Sequence, residues 1–128
     1  MAHSIYIPGF SHSNPVPAAA AVGNLVMSGG IHGSDPATGK VAATLDEQCR
    51  NIFKHFSAVM EAAGGKLDDI VKVTVWLADP SDRTVLNEAW VEAFPDPQRR
   101  PTRMVRPGQL APGTFVVCDM TAVIGGKG

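Results

Sequence analysis

The chain has 128 residues and a formal net charge of -1 at neutral pH, which fits one domain over residues 1–128 and leaves no room for a second. With 45% hydrophobic and 18% charged residues it is not a disordered polymer, and its charge balance gives no bulk attraction to nucleic acid. No apolar run reaches a membrane span, residues 1–14 lack the order of a signal peptide, and Cys49 and Cys118 show no scaffold or metal-ligand spacing.

The expectation is a soluble, cytoplasmic domain with reduced thiols, no metal, and no nucleic-acid or membrane partner. Residues 1–17, with three prolines and the apolar trio Ile5-Tyr6-Ile7, read as an extended lead-in with one edge strand. Residues 18–22 and 25–31 read as two strands joined by a tight turn at Gly23-Asn24. Residues 33–39 form a Pro/Gly loop. Thr44-Leu45-Asp46-Glu47 is a capping box. Behind it Leu45, Cys49, Ile52, Phe53, Phe56, Val59, Met60 and Ala63 recur at helical spacing until Gly64-Gly65. His55 falls between these core positions and reads as a surface or boundary residue.

Residues 71–78 alternate, with Val71, Val73, Val75 and Leu77 on one side and Lys72, Thr74 and Trp76 on the other. Asp79-Pro80 predicts the start of a second helix, whose buried stripe is Val85, Leu86, Ala89, Trp90, Ala93 and Phe94. Pro95 and Pro97 end it. Two strands follow, over about 102–106 and 115–124. This order predicts an α+β fold, a mixed sheet with two helices packed on one face. The other face, carrying Trp76, predicts an interface between copies.

No phosphate-binding loop, zinc pattern or nucleophile elbow appears. Arg103 is unusual because it lies inside an alternating strand, where a guanidinium needs an anionic partner. Asp119 is the matching oddity in the last strand. On residue types alone the two form either a structural ion pair or a site. His32 follows Ser28-Gly29-Gly30 and is either a loop histidine or an acid or base working near neutral pH. His3 and His12 receive no role.

Several segments in order resemble the reactive intermediate deaminase (Rid, or YjgF-like) family over about residues 14–124. They are residues 22–30, Asp35-Pro36-Ala37-Thr38-Gly39, Glu61-Ala62-Ala63-Gly64-Gly65 with residues 67–72, Asn87, and Arg100-Pro101-Thr102-Arg103. The resemblance implies a chorismate-mutase-like fold assembled as a homotrimer, with a central barrel and small-molecule sites at the subunit interfaces. Active members hydrolyse enamines and imines of amino acids to 2-keto acids and ammonia, without metal or organic cofactor. Arg103 matches the arginine that grips the substrate carboxylate. Ser28, Gly29 and Asn87 match pocket residues, and Val105 a position whose backbone amide contacts the ligand.

Two departures stand out. The family's pocket tyrosine corresponds to Val16 after Pro15, which implies a substrate other than the usual small one. The family's water-positioning glutamate corresponds to Cys118 in a gapless match from Arg103, or to Asp119 with one extra residue in loop 108–113. Asp119 is preferred, because the gapless match turns its carboxylate into the helix-packed core, where an unpaired charge costs several kcal/mol. The rival reading is a non-catalytic trimeric protein that binds or senses a keto acid. A ribonuclease ranks last, since no basic, aromatic-laced surface is legible.

Overall fold

Helix α1 (Leu45–Ala62) forms where the capping box and apolar spacing place it. The Thr44 hydroxyl accepts the Glu47 N–H at 3.2 Å, and Gly64, at φ 86°, ends the helix in the left-handed region that glycine adopts without strain. The computed structural model describes residues 1–81 and 83–125. Its strands are β1 (His3–Ile5), β2 (Ala19–Val22), β3 (Leu25–Ser28), β4 (Ile31–His32), β5 (Ile70–Leu77), β6 (Thr102–Pro107) and β7 (Val116–Val123), with helix α2 (Thr84–Ala93) between β5 and β6.

The strands form one mixed sheet in the order β1-β2-β3-β7-β5-β6, with β4 also on β7. The β5–α2–β6 segment is a parallel crossover unit, and the pairs β2/β3, β3/β7 and β5/β7 are antiparallel. Both helices contribute to a single core with one sheet face: Ile52, Phe56, Val59 and Met60 from α1 and Leu86, Ala89 and Trp90 from α2 join Val26, Val73, Val75, Cys118, Met120 and Ala122. The α+β reading, two helices against a mixed sheet, is correct.

Three local expectations change. The predicted strand 25–31 breaks at Gly29-Gly30 into β3 and β4, and a side chain at Gly30 would press on Val117 Cγ1 at 3.3 Å. The bulge between Ile70 and Lys72 turns Ile70 into the core and leaves Val71 half-exposed. The second helix starts at Thr84 rather than at Asp79-Pro80. Asp79 instead closes a turn, its Oδ1 accepting from the Ser81 N–H at 3.1 Å and the Ser81 hydroxyl at 2.6 Å. The expected edge strand of the lead-in is present, as His3–Ile5, with Ile7 bridged to Phe10.

His55 is not a surface residue. Only 1% exposed, it donates from Nε2 to the Ser34 carbonyl at 2.7 Å, and the Ser34 hydroxyl donates to the Gly9 carbonyl at 3.3 Å. The Ser34–Gly9 contact ties the lead-in to the β4 exit, which His55 holds against α1.

Candidate active site

Strand order decides which candidate residues meet. Arg103 and Val105 on β6 pair in register with Val73 and Val75 on β5, so their side chains share the helix-covered face. There the Arg103 guanidinium donates through Nη2 to Asn87 Oδ1 at 2.8 Å and lies 4.9 Å from the centroid of the Trp90 ring. This cation–π stack and amide hold the fork in one orientation. Burial lowers the Arg103 pKa, with the Arg83 charge as the next cause. The guanidinium nevertheless stays protonated, because its ordinary value is so high. Among the described residues Arg103 has no carboxylate partner. Strand β6 is an edge of the sheet, so half of its backbone amides face away from β5.

Asp119 sits elsewhere. Strand β5 separates β6 from β7, so Arg103 and Asp119 are not on neighbouring strands. Asp119 pairs in register with Thr74, on the face that no helix covers, opposite to Arg103. The ion pair between them does not form within one chain. Burial raises the Asp119 carboxyl pKa, against hydrogen bonding from Thr74 and the Lys72 charge. Cys118, the alternative residue, is fully packed in the core, where burial holds its thiol protonated and inert.

Ser28 and Gly29 lie beside β7. The Ser28 hydroxyl accepts the Met120 N–H at 2.9 Å, at the peptide that follows Asp119, and the Gly29 N–H donates to the Ala18 carbonyl at 3.0 Å. From β3 across β7 and β5 to β6 is three strand spacings, about 14 Å. The candidate residues thus fall into two groups: Arg103, Asn87, Trp90 and Val105 at one edge, and Ser28 and Gly29, with Asp119 on the neighbouring strand, further across the sheet. Val16 lines a cavity of about 160 Å³ with Tyr6, Phe10 and His12, next to the second group.

His32 joins a ring cluster that sequence reasoning missed. The Phe10 ring centroid lies 4.9 Å from that of His12, 4.8 Å from His32 and 5.2 Å from His55. The aperiodic lead-in gave no signal that Phe10 would organise three histidines. Burial lowers the His32 pKa, and the His55 and His12 charges lower it further; burial is also the main cause at His55. For bases with folded values below the ordinary value of about 6.5, the unfolded chain takes up protons first as pH falls. The stability contributed by neutral imidazoles is therefore complete above about pH 6.5 and lost as pH drops below it. The urea midpoint should be higher at pH 7.5 than at 5.5. That difference should shrink in His55→Gln, and an unchanged difference would refute the assignment.

No cluster of three or more His, Cys, Asp or Glu among the described residues is arranged to hold a metal ion. No helix there is long and apolar enough to cross a membrane.

Comparison with known proteins adds independent information. Residues 11–124 match the family model described as "Endoribonuclease L-PSP". A RutC family protein of Pyrococcus abyssi is 37% identical over 81 residues, 62% of this chain and 64% of that protein. A 2-iminobutanoate/2-iminopropanoate deaminase of Salmonella typhimurium is 40% identical over 73 residues, 57% of this chain and 56% of that protein. The chain thus spans less than two thirds of the length of these relatives. The crystal structure of RidA from the Antarctic bacterium Psychrobacter sp. PAMC 21119 superposes with a TM-score of 0.83 at 34% identity, covering 92% of this chain and 94% of that one.

Proposed function

The chain belongs to the endoribonuclease L-PSP family, the Rid proteins among its relatives, and from that premise we propose that it is a cofactor-independent deaminase of amino-acid-derived imines and enamines. The carrying observation is Arg103: a half-buried guanidinium, oriented by Asn87 and Trp90, with no carboxylate of the described chain to bind. A substrate carboxylate supplies the missing anion. Relatives named 2-iminobutanoate/2-iminopropanoate deaminase and Reactive Intermediate Deaminase A support the same chemistry.

The reaction asks little of the protein beyond positioning. Arg103 takes both carboxylate oxygens in a bidentate contact, with the backbone amide of Val105 as a further donor to one of them. Water adds to the iminium carbon as its proton passes to Asp119, and the C=N π pair moves to nitrogen. Asp119 returns the proton to that nitrogen, and the C–N bond breaks as the hydroxyl O–H pair forms the keto C=O, the hydroxyl proton passing to Asp119 and then to the departing ammonia as ammonium. A carboxyl with a raised pKa suits this two-way proton traffic.

Arg103 and Asp119 face opposite sides of the sheet, so a site using both is built from two copies. The uncovered face exposes Leu25, Met27 and Val123 on β3 and β7 and Met104 on β6, apolar side chains that a second copy would bury. A homotrimer with sites at its subunit interfaces meets both demands. Ribonuclease activity, which the family's name suggests, finds no support in a net charge of -1.

The test uses imines generated in solution by an amino-acid oxidase, with semicarbazide trapping the free imine. Ammonia release should exceed the uncatalysed rate and vanish in Asp119→Asn. Trimers reassembled from equal parts Asp119→Asn and Arg103→Ala chains should recover about a quarter of the activity, the random share of interfaces with both groups intact. No recovery would sink the shared site. Binding of a 2-keto acid without turnover would replace this reading with a non-catalytic ligand-binding protein.

A further inference from the structure

The β6–α2 edge carries more positive charge than a single carboxylate needs. Arg83 is the N-cap residue of α2, and its carbonyl accepts the Asn87 N–H at 2.9 Å. Arg83 and Asn87 therefore stand one turn apart, about 5.4 Å, on the same side of the helix. Asn87 in turn holds Arg103. Asn87 thus links the Arg83 backbone to the Arg103 guanidinium.

An arginine is an unfavourable choice at that position. It makes no side-chain capping bond, and the first turn of α2 holds no acidic residue. The helix N-terminus already bears partial positive charge, so a cation there destabilises the helix. The Arg83 charge also depresses the Arg103 pKa, second only to burial. Among the described residues, the ion pairs engage Arg50 and Arg99 and leave Arg83 and Arg103 unpaired. Among the described residues, two like charges and a helix N-terminus are held together with no carboxylate paired to either arginine.

Building on the deaminase reading, we propose that Arg83 is a specificity-determining residue that receives a second carboxylate, so that the preferred substrates are imines of acidic amino acids, the 2-iminosuccinate class, rather than of alkyl ones. Arg103 holds the carboxylate beside the imine carbon, as the reaction requires. Arg83, one helical turn from Asn87, would receive the distal carboxylate of a four- or five-carbon diacid. Valine at position 16, where the family carries a tyrosine, is consistent with a longer substrate.

The experiment compares kcat/KM for 2-iminosuccinate and 2-iminopropanoate, each generated in solution from its amino acid. The wild type should favour the dicarboxylate. Arg83→Gln should reduce that preference at least about tenfold, chiefly through KM. Arg83→Lys should keep part of it, and the distant control Arg99→Gln all of it. In parallel, calorimetry measures the affinities of oxaloacetate and pyruvate for the wild type and Arg83→Gln. A preference for oxaloacetate that collapses in Arg83→Gln supports the assignment even if no imine is turned over, a result that would defeat only the deaminase reading. Equal affinities for the two keto acids, or a preference that Arg83→Gln leaves intact, overturns it.

Discussion

Replacing Arg103 with alanine should lower kcat/KM for imine hydrolysis by about 100- to 1,000-fold, the loss of two charge-assisted hydrogen bonds to a carboxylate. The far-ultraviolet circular dichroism and the oligomer should be unchanged. The guanidinium sits on an edge strand and, among the described residues, donates only to Asn87, so its removal leaves one exposed amide oxygen without that donor and no buried charge. Part of the Trp90 ring loses its cover, a packing loss of the kind that truncating an arginine stem produces. Arg103→Lys should recover little, because an ammonium keeps the charge but neither the planar stack nor the bidentate fork. Loss of turnover with an intact fold places Arg103 in substrate binding. A decrease of less than threefold would remove the observation on which the proposed function stands.

The largest expected effect on stability belongs to a residue with no part in the chemistry. Gln48, fully buried in α1, donates through Nε2 to the Ala42 and Gly113 carbonyls, each at 2.8 Å, and accepts the Phe115 N–H at Oε1 at 2.8 Å. One amide thus ties α1 to the loop before it and to the segment that leads into β7. Gln48→Leu keeps much of the volume but strands a buried N–H and two carbonyls. The cost is about 3 kcal/mol, or roughly 10 °C in Tm. A side chain at Gly33 would overlap the Gln48 backbone, so α1 cannot shift toward β4 to relieve the loss. Thermal unfolding followed by tryptophan fluorescence reads the effect directly. A Tm within about 2 °C of wild type would mean that water or relaxation satisfies these groups.

Both residues show where sequence reasoning stops. Arg103 was visible because an arginine inside a hydrophobic alternation contradicts its surroundings. Gln48 was invisible: in a helical pattern a glutamine beside Cys49 counts as polar and off the apolar face, and its partners Gly113 and Phe115 lie far along the chain. His55 was misread for the same reason. Its partner, the Ser34 carbonyl, is presented by a loop whose position depends on how β4 pairs with β7.

The sequence by itself determined whatever depends on neighbours a few residues away. The capping threonine and the three-to-four spacing of Cys49, Ile52, Phe53, Phe56, Val59 and Met60 specify α1. The alternation through Val73, Val75 and Leu77 specifies β5, and that through Val116, Cys118, Met120 and Ala122 specifies β7. Only the tertiary structure decided which face each alternation presents and what lies beside it. Inserting β5 between β6 and β7 puts Arg103 with Val73 and Asp119 with Thr74, on opposite sides of one sheet. A strand's own residues define two faces, but register with distant strands chooses which of them the helices cover. That choice puts the candidate residues of one chain on opposite faces, so the proposed site, which uses both groups, needs two copies of the chain.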